Sequence, residues 1–212
     1  LANATVRIEY GKSRGSGFHF LKPEIVVTNH HVVEGAEAAE PPAVTGVTEK
    51  GDRIALELLG WSPQNDRDFA VLRAISPVPS GRHTLQPSAL RPVPRGTAVL
   101  FGGFPHGIPH LLVQHASVAG LINPDVFYID GSVNGGNSGG PIVDATDGSV
   151  VGLVTQRRFL GGADLKALAN SAEQLRSHCQ SFAGRAGVQI MGIDFGAFSQ
   201  IMAEGMLLVR QS

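Results

Sequence analysis

The chain is poor in cysteine and in charge, and it contains no long apolar run. Cys179 is the single cysteine among 212 residues, which excludes a disulfide framework within the chain. Charged residues make up 17% of the sequence and the formal net charge is −1, so no basic surplus points to nucleic acid or to an anionic membrane. No apolar run approaches the roughly 20 residues that a transmembrane helix requires. We therefore expect neither a nucleic-acid nor a membrane partner.

What is present favours a β-rich globular fold. Apolar residues make up 42% of the chain, which excludes disorder, and 27 glycines with 13 prolines favour many short strands. Eleven apolar stretches lie between turn residues and predict an antiparallel sandwich or barrel. These candidate strands cover residues 4–10, 17–21, 25–28, 53–59, 69–74, 97–102, 111–121, 126–129, 141–143, 150–155 and 188–193.

Two further segments have the periodicity of helices, and one segment resembles a linker. Apolar residues recur at helical spacing between 163 and 183, and a second such stripe covers 196–209. Five of the thirteen prolines fall between 77 and 94. We expect an N-terminal β-barrel over 1–76, a connection over 77–96, and a C-terminal β-barrel over 97–212 with a helical insertion at 157–187.

The most specific motif is the run from Gly135 to Pro141, Gly-Gly-Asn-Ser-Gly-Gly-Pro. A serine flanked by glycines can occupy a tight turn, which exposes its hydroxyl and lets neighbouring N–H groups converge on one point. Such convergence is what stabilises a tetrahedral oxyanion. The alternative is an ordinary glycine-rich hairpin loop.

A serine hydroxyl also needs a base, and the base needs a group that orients it. Upstream, Thr28-Asn29-His30-His31-Val32 places histidine after an apolar strand. Asp66-Arg67-Asp68-Phe69 places aspartate before another. The spacing alone leaves two histidines and two aspartates as candidates.

Together these three motifs, in this order, resemble the trypsin-like serine peptidases and most closely the bacterial HtrA/Deg branch. Ser16-Gly17-Phe18 and Gly192-Ile193-Asp194-Phe195 extend the resemblance through most of the chain. The family implies a mostly β fold of two antiparallel six-stranded barrels, with the active site in the cleft between them.

The resemblance implies a role for each matched residue. His31, which precedes Val32, is the general base rather than His30. Asp68, which precedes Phe69, orients it rather than Asp66. Ser138 is the nucleophile, and the N–H groups of Gly136 and Ser138 form the oxyanion hole. Thr155 falls where the family places a hydroxyl that supports the aspartate; alternatively, it is an ordinary strand residue.

The pattern departs from the family in three places. Asn137 stands where the digestive branch has aspartate, which argues against activation by N-terminal cleavage. The chain begins at Leu1 without a signal peptide, as expected of a mature form or an excised domain, and no PDZ domain follows before Ser212. The insertion over 157–187 is longer than the family's loop. We expect it either to cap the barrel or to act as a lid, a gate or a docking site for a regulatory partner.

Specificity is left open by the sequence. By family position the pocket is lined by Ser132, Val133, Gln156, Arg157 and Asp194. Asp194 would favour a basic side chain and Arg157 an acidic one, whereas mutual pairing of the two would leave a small neutral pocket. We favour the neutral pocket.

The sequence therefore predicts a serine endopeptidase acting on peptide or protein substrates, without a metal or an organic cofactor. His106 and His110 are four residues apart, but in a proline- and glycine-rich loop that is unlike a zinc site. The alternatives are a latent or inactive protease-fold module that binds a peptide or a partner protein, and an esterase that uses the same residues. One cysteine is compatible with either the cytoplasm or the periplasm.

Overall fold

The computed structural model describes residues 1–38, 44–90, 92–105, 108–123 and 125–155, and the backbone of two short strands beyond them. The helices expected over 163–183 and 196–209 lie outside these residues. The strands are β1 (Thr5–Tyr10), β2 (Ser13–His19), β3 (Ile25–Thr28), β4 (Val44–Val47), β5 (Arg53–Ser62), β6 (Phe69–Ala74), β7 (Ala98–Gly103), β8 (Leu112–Asn123), β9 (Val126–Ile129), β10 (Pro141–Asp144), β11 (Val150–Leu153), β12 (Gln189–Ile190) and β13 (Ile193–Asp194). Two 3-10 helices cover His30–Val32 and Ala36–Ala38. The prediction of a mostly β chain is confirmed.

The first six strands close into an antiparallel barrel in the order β1-β2-β3-β6-β5-β4. Inward-facing residues of these strands are mostly valine, isoleucine and leucine, and they form one apolar core that includes Val6, Ile8, Ile54, Leu56 and Leu72. Closure pairs every strand on both edges, so the barrel has no exposed edge strand.

Strand β4 was not predicted, although it completes the barrel between β1 and β5. Its four residues follow a proline pair and contain Gly46, a pattern that indicates a turn when it is taken alone. Packing explains the glycine. A Cβ at this position would lie 3.2 Å from the side chain of Leu56, so the absence of a side chain lets the core residue fill the space.

The second sheet has five strands within the described ranges, in the order β11-β10-β7-β8-β9. Its buried side chains form a separate core around Val99, Phe101, Val118 and Ile142. A third cluster joins the two sheets, because Phe18 of β2 packs with Val143 and Val150.

The proline-rich connection is bonded to both sheets. Leu85 donates its N–H to the carbonyl of His19 in the first barrel, at 2.9 Å. Three residues later, Ser88 donates to the carbonyl of Val150 in the second sheet, at 2.8 Å. The connection therefore ties the two sheets together through backbone hydrogen bonds.

Residues Arg158–Ser212 form a second compact unit, distinct from Leu1–Arg157. Within it, β12 and β13 pair antiparallel, Gln189 with Asp194 and Ile190 with Ile193. The single strand predicted over 188–193 is therefore two short paired strands. Among the described residues, no helix has the length and hydropathy needed to cross a membrane.

His19 makes the stability of the barrel depend on pH. Its side chain is fully buried, and Nδ1 donates to the carbonyl of Pro23. Burial, with a smaller contribution from the charge of Arg82, lowers the pKa of His19 from 6.5 to about 4. Between these values the unfolded chain binds a proton that the folded chain does not, so stability is complete above pH 6.5 and falls as the pH falls towards 4.

We predict that this linkage removes about 2–3 kcal/mol of unfolding free energy between pH 7 and pH 4. The His19→Asn variant keeps a side-chain donor for Pro23 but does not titrate, so its unfolding free energy should depend less on pH. Urea unfolding of both proteins across this range measures the difference. Equal pH dependence of the two proteins would contradict the assignment.

Candidate active site

Strand pairing brings His31 and Asp68 together. Strand β3 runs antiparallel to β6, and Thr28 at the end of one pairs with Ala70 near the start of the other. His31 lies just beyond the end of β3, and Asp68 lies just before β6. Nδ1 of His31 is 2.7 Å from Oδ2 of Asp68, and the His31 backbone N–H donates to Oδ1 at 3.1 Å. Two bonds to one carboxylate fix both the position and the tautomer of the imidazole.

The backbone around Asp68 is unusual, and it is held by specific bonds. Asp68 has a φ of +49°, the left-handed conformation that costs energy for a residue with a side chain. Its N–H donates to the carbonyl of Pro63 at 3.0 Å, and its carbonyl accepts the side-chain amide of Asn29 at 2.6 Å. The carboxylate is 2% exposed. These bonds orient the buried carboxylate of Asp68 towards His31.

The neighbouring candidates have other partners. Asp66 accepts the hydroxyl of Ser62 at 2.7 Å, so it stabilises the turn before Asp68. His30 is stacked on Trp61, with ring centroids 6.0 Å apart, and both of its ring nitrogens lack a hydrogen-bond partner. The structure thus pairs His31 rather than His30, and Asp68 rather than Asp66.

The glycine-rich run that contains Ser138 begins with a hydrogen-bonded turn. Asn137 donates its N–H to the carbonyl of Asn134 at 3.1 Å, and Gly136 has a φ of +93°. The hydrogen bond across residues 134–137 and the positive φ at the third of them fit a type II turn, which requires positive φ at that position. The sign of this angle decides on which side of the turn the Gly136 N–H lies. Gly139, with a φ of +83°, then leads the chain into β10.

Together with Ser138 and Gly139 this turn forms the serine turn, residues 134–139, which is bonded directly to the first barrel. The carbonyl of Ser138 accepts the N–H of Ser16 at 2.8 Å. Gly139 lies so close to β2 and β3 that an added Cβ would be 2.9 Å from the backbone nitrogen of Asn29 and would overlap the carbonyl oxygen of Ser16 and the hydroxyl of Thr28. Since Asn29 also binds Asp68, three distant parts of the sequence meet at one place.

The remaining predicted residues are Thr155 and those of the specificity pocket. Thr155 donates its hydroxyl to the carbonyl of Leu153 at 3.3 Å, so its bond to the aspartate remains a prediction. Ser132 is exposed, and Val133 is half-buried against the second core. Gln156 and Arg157 lie outside the described residues, and Asp194 ends β13 in the second unit. The composition of the pocket therefore remains a prediction.

Two residues that sequence analysis assigned no role also belong to the site. Asn29 holds the backbone of Asp68, and Ser16 bonds the serine turn. Their signal in the sequence is their position inside the Thr-Asn-x-His-Val and Ser-Gly-Phe motifs.

In the described ranges, no group of three or more His, Cys, Asp or Glu side chains could hold a metal ion.

A closed barrel, a second sheet, and a glycine-flanked serine turn bonded to the barrel that carries a His–Asp pair are the features of the double-barrel serine peptidase class. The chain matches the trypsin-like peptidase domain family over residues 15–153, and it belongs to that family. The predicted resemblance is therefore confirmed.

Curated relatives extend the likeness to the HtrA/Deg branch, and a solved structure shows the same fold. The chain is 31% identical to "Protease Do-like 1, chloroplastic" of Arabidopsis thaliana over 70% of this chain and 34% of the relative. It is 29% identical to a "Probable periplasmic serine endoprotease DegP-like" of Pseudomonas fulva over 86% and 39%. The crystal structure of the serine endoprotease from Yersinia pestis superposes with a TM-score of 0.62 at 22% identity, covering 82% of this chain and 62% of that one. The chain spans little more than a third of the length of these curated relatives.

Two glycines test whether the turn must touch the first barrel. Gly139 and Gly148 both have positive φ, so alanine at either position costs about 1 kcal/mol of backbone strain. At Gly148 nothing lies within 4 Å of an added Cβ, whereas at Gly139 it would overlap backbone. We predict that Gly139→Ala loses several kcal/mol more unfolding free energy than Gly148→Ala, as measured by urea unfolding. Equal losses would show that contact with β2 and β3 does not require this glycine.

Proposed function

We propose that this chain is a serine endopeptidase domain that hydrolyses peptide bonds of peptide or protein substrates through a Ser138–His31–Asp68 triad. The observation that carries the proposal is the 2.7 Å contact between His31 Nδ1 and the buried Asp68 carboxylate, beside a serine turn bonded to the same barrel. Family membership supports the same reaction class.

The hydrogen bonds suggest how the base works. An ionised carboxylate only accepts, so Nδ1 of His31 carries the proton that it shares with Asp68. Nε2 is then unprotonated and can accept the hydroxyl proton of Ser138 as the oxygen attacks the substrate carbonyl. Asp68 stabilises the imidazolium that results, and it does not itself take up the proton. His31 must be neutral at the outset, because a protonated imidazole has no lone pair with which to accept the hydroxyl proton.

The serine turn supplies the second part of the mechanism. In the tetrahedral intermediate the former carbonyl oxygen is negatively charged, and the N–H groups of Gly136 and Ser138 are the proposed donors to it. The positive φ of Gly136 supports this role, because the opposite sign would reverse the peptide between Gly135 and Gly136 and turn a carbonyl towards the same side. His31 then returns its proton to the leaving amine, and water releases the acyl group by the same route.

A fluorophosphonate probe tests whether the triad is assembled. We predict covalent labelling at Ser138, located by peptide mass spectrometry, with no adduct in Ser138→Ala and a loss of roughly 100-fold or more in rate in His31→Ala. Absence of labelling in the unmodified protein would contradict the proposal and favour a module that binds without turnover.

The two aspartates allow a matched comparison of roles. Asp68→Asn should lower kcat on fluorescein-labelled casein by roughly 1,000-fold or more, because an amide cannot hold His31 in the required tautomer. Asp66→Asn removes a carboxylate that bonds only the hydroxyl of Ser62 in this turn, and it should retain activity within a few-fold. Equal losses in the two variants would contradict the assignment of Asp68.

A further inference from the structure

Ser16 is a polar residue at a fully buried position of strand β2, with 0% of its surface exposed. Glycines flank it on both sides. A Cβ at Gly15 would lie 3.1 Å from the carbonyl of Ser138, and one at Gly17 would lie 3.0 Å from the carbonyl of Val27. The strand is thus packed closely on both sides of Ser16, which leaves its hydroxyl little freedom.

The hydroxyl of Ser16 has a direction that its partners determine. The backbone N–H of Phe104 lies 2.9 Å from Oγ and can only donate, so Oγ accepts this bond. The carbonyl oxygen of Gly136 lies 2.7 Å from Oγ and can only accept, so the hydroxyl proton points towards it. Both bonds are buried, where their loss would leave two unpaired backbone groups.

The Gly136 carbonyl belongs to the peptide group that lies between the two proposed oxyanion donors. The other end of that peptide, the N–H of Asn137, is held by the carbonyl of Asn134 at 3.1 Å. The next carbonyl along the chain, that of Ser138, accepts the backbone N–H of Ser16 at 2.8 Å. Ser16 therefore bonds both residues whose N–H groups would face the oxyanion, one through its side chain and one through its backbone.

We infer that Ser16 is a positioning residue for the oxyanion hole, and that its hydroxyl fixes the peptide plane joining Gly136 to Asn137. The inference deepens the proposed function and rests on it for its kinetic consequence. Donors aimed at developing charge stabilise the transition state more than the bound substrate. Loss of the Ser16 hydroxyl should therefore slow the chemical step and leave binding nearly unchanged.

The chain offers a matched control for a buried hydroxyl. Thr48 is 4% exposed, and its hydroxyl also makes two bonds, donating to the Asp52 carboxylate at 3.0 Å and accepting the Asp52 N–H at 3.1 Å. Thr48→Ala therefore also removes a hydroxyl that donates one bond and accepts one, from the turn between β4 and β5. Both variants should lose unfolding free energy, because each lacks a bonded hydroxyl. Only Ser16→Ala should also react more slowly at Ser138, because only Ser16 contacts the proposed oxyanion hole.

The experiment measures inactivation by a fluorophosphonate in the unmodified protein, Ser16→Ala and Thr48→Ala, under conditions in which all three are folded. Saturation kinetics separate the maximal rate, kinact, from the apparent affinity, KI. We expect Ser16→Ala to lower kinact by roughly 10- to 100-fold, below the cost of deleting a direct oxyanion donor. KI should change by less than about threefold, and the midpoint of the pH profile should stay in place, because the His31–Asp68 pair is intact.

Amide hydrogen exchange supplies a readout that needs no activity. The Asn137 N–H should exchange faster in Ser16→Ala than in the unmodified protein, while amides of β3 and β6 stay unchanged. An unchanged kinact in a reactive protein, or a kinact that falls as much in Thr48→Ala, would overturn the inference. If the unmodified protein does not react at all, the proposed function fails, and exchange at Asn137 decides the role of Ser16 by itself. Faster exchange would support it and unchanged exchange would overturn it.

Discussion

The close approach of the serine turn to strands β2 and β3 is the contact on which the rest of the site depends. Gly139 lies against the carbonyl of Ser16, the hydroxyl of Thr28 and the backbone of Asn29, with no room for a side chain. Ser138 and His31 lie more than a hundred residues apart in the sequence. This contact attaches the turn that carries Ser138 to the barrel that carries His31. A glycine is required because only the missing Cβ lets two backbones come this close.

The second constraint is the backbone of Asp68. A left-handed aspartate is strained, and the cost is offset by bonds to Pro63 and Asn29 and by the two bonds that its carboxylate makes to His31. Asn29 connects the two constraints, since its side chain holds Asp68 while its backbone packs on Gly139. The His–Asp pair and the serine turn are therefore parts of one bonded arrangement.

Much of this could be predicted from local patterns. Strands β3, β6 and β9 have the predicted bounds, because short runs rich in β-branched, aromatic and other apolar residues encode them directly. Strand β4 escaped prediction because its pairing with β1 and β5 is decided by tertiary packing around Gly46. The choice between His30 and His31 came from family resemblance, and the geometry of β3 and β6 supplies its physical reason. The hydroxyl of Ser16 bonds Gly136, which lies 120 positions away in the sequence, and no local pattern carries that information.

The most direct test of the account is a crystal structure of the protein after reaction with a fluorophosphonate. We predict phosphorus bonded to Oγ of Ser138, with its non-bridging oxygen about 2.7–3.1 Å from the N–H groups of Gly136 and Ser138. His31 should keep its Nδ1 bond to Asp68, and the Ser16 hydroxyl should still contact the carbonyl of Gly136. Phosphorus on another residue, or an oxygen turned away from these two N–H groups, would contradict it.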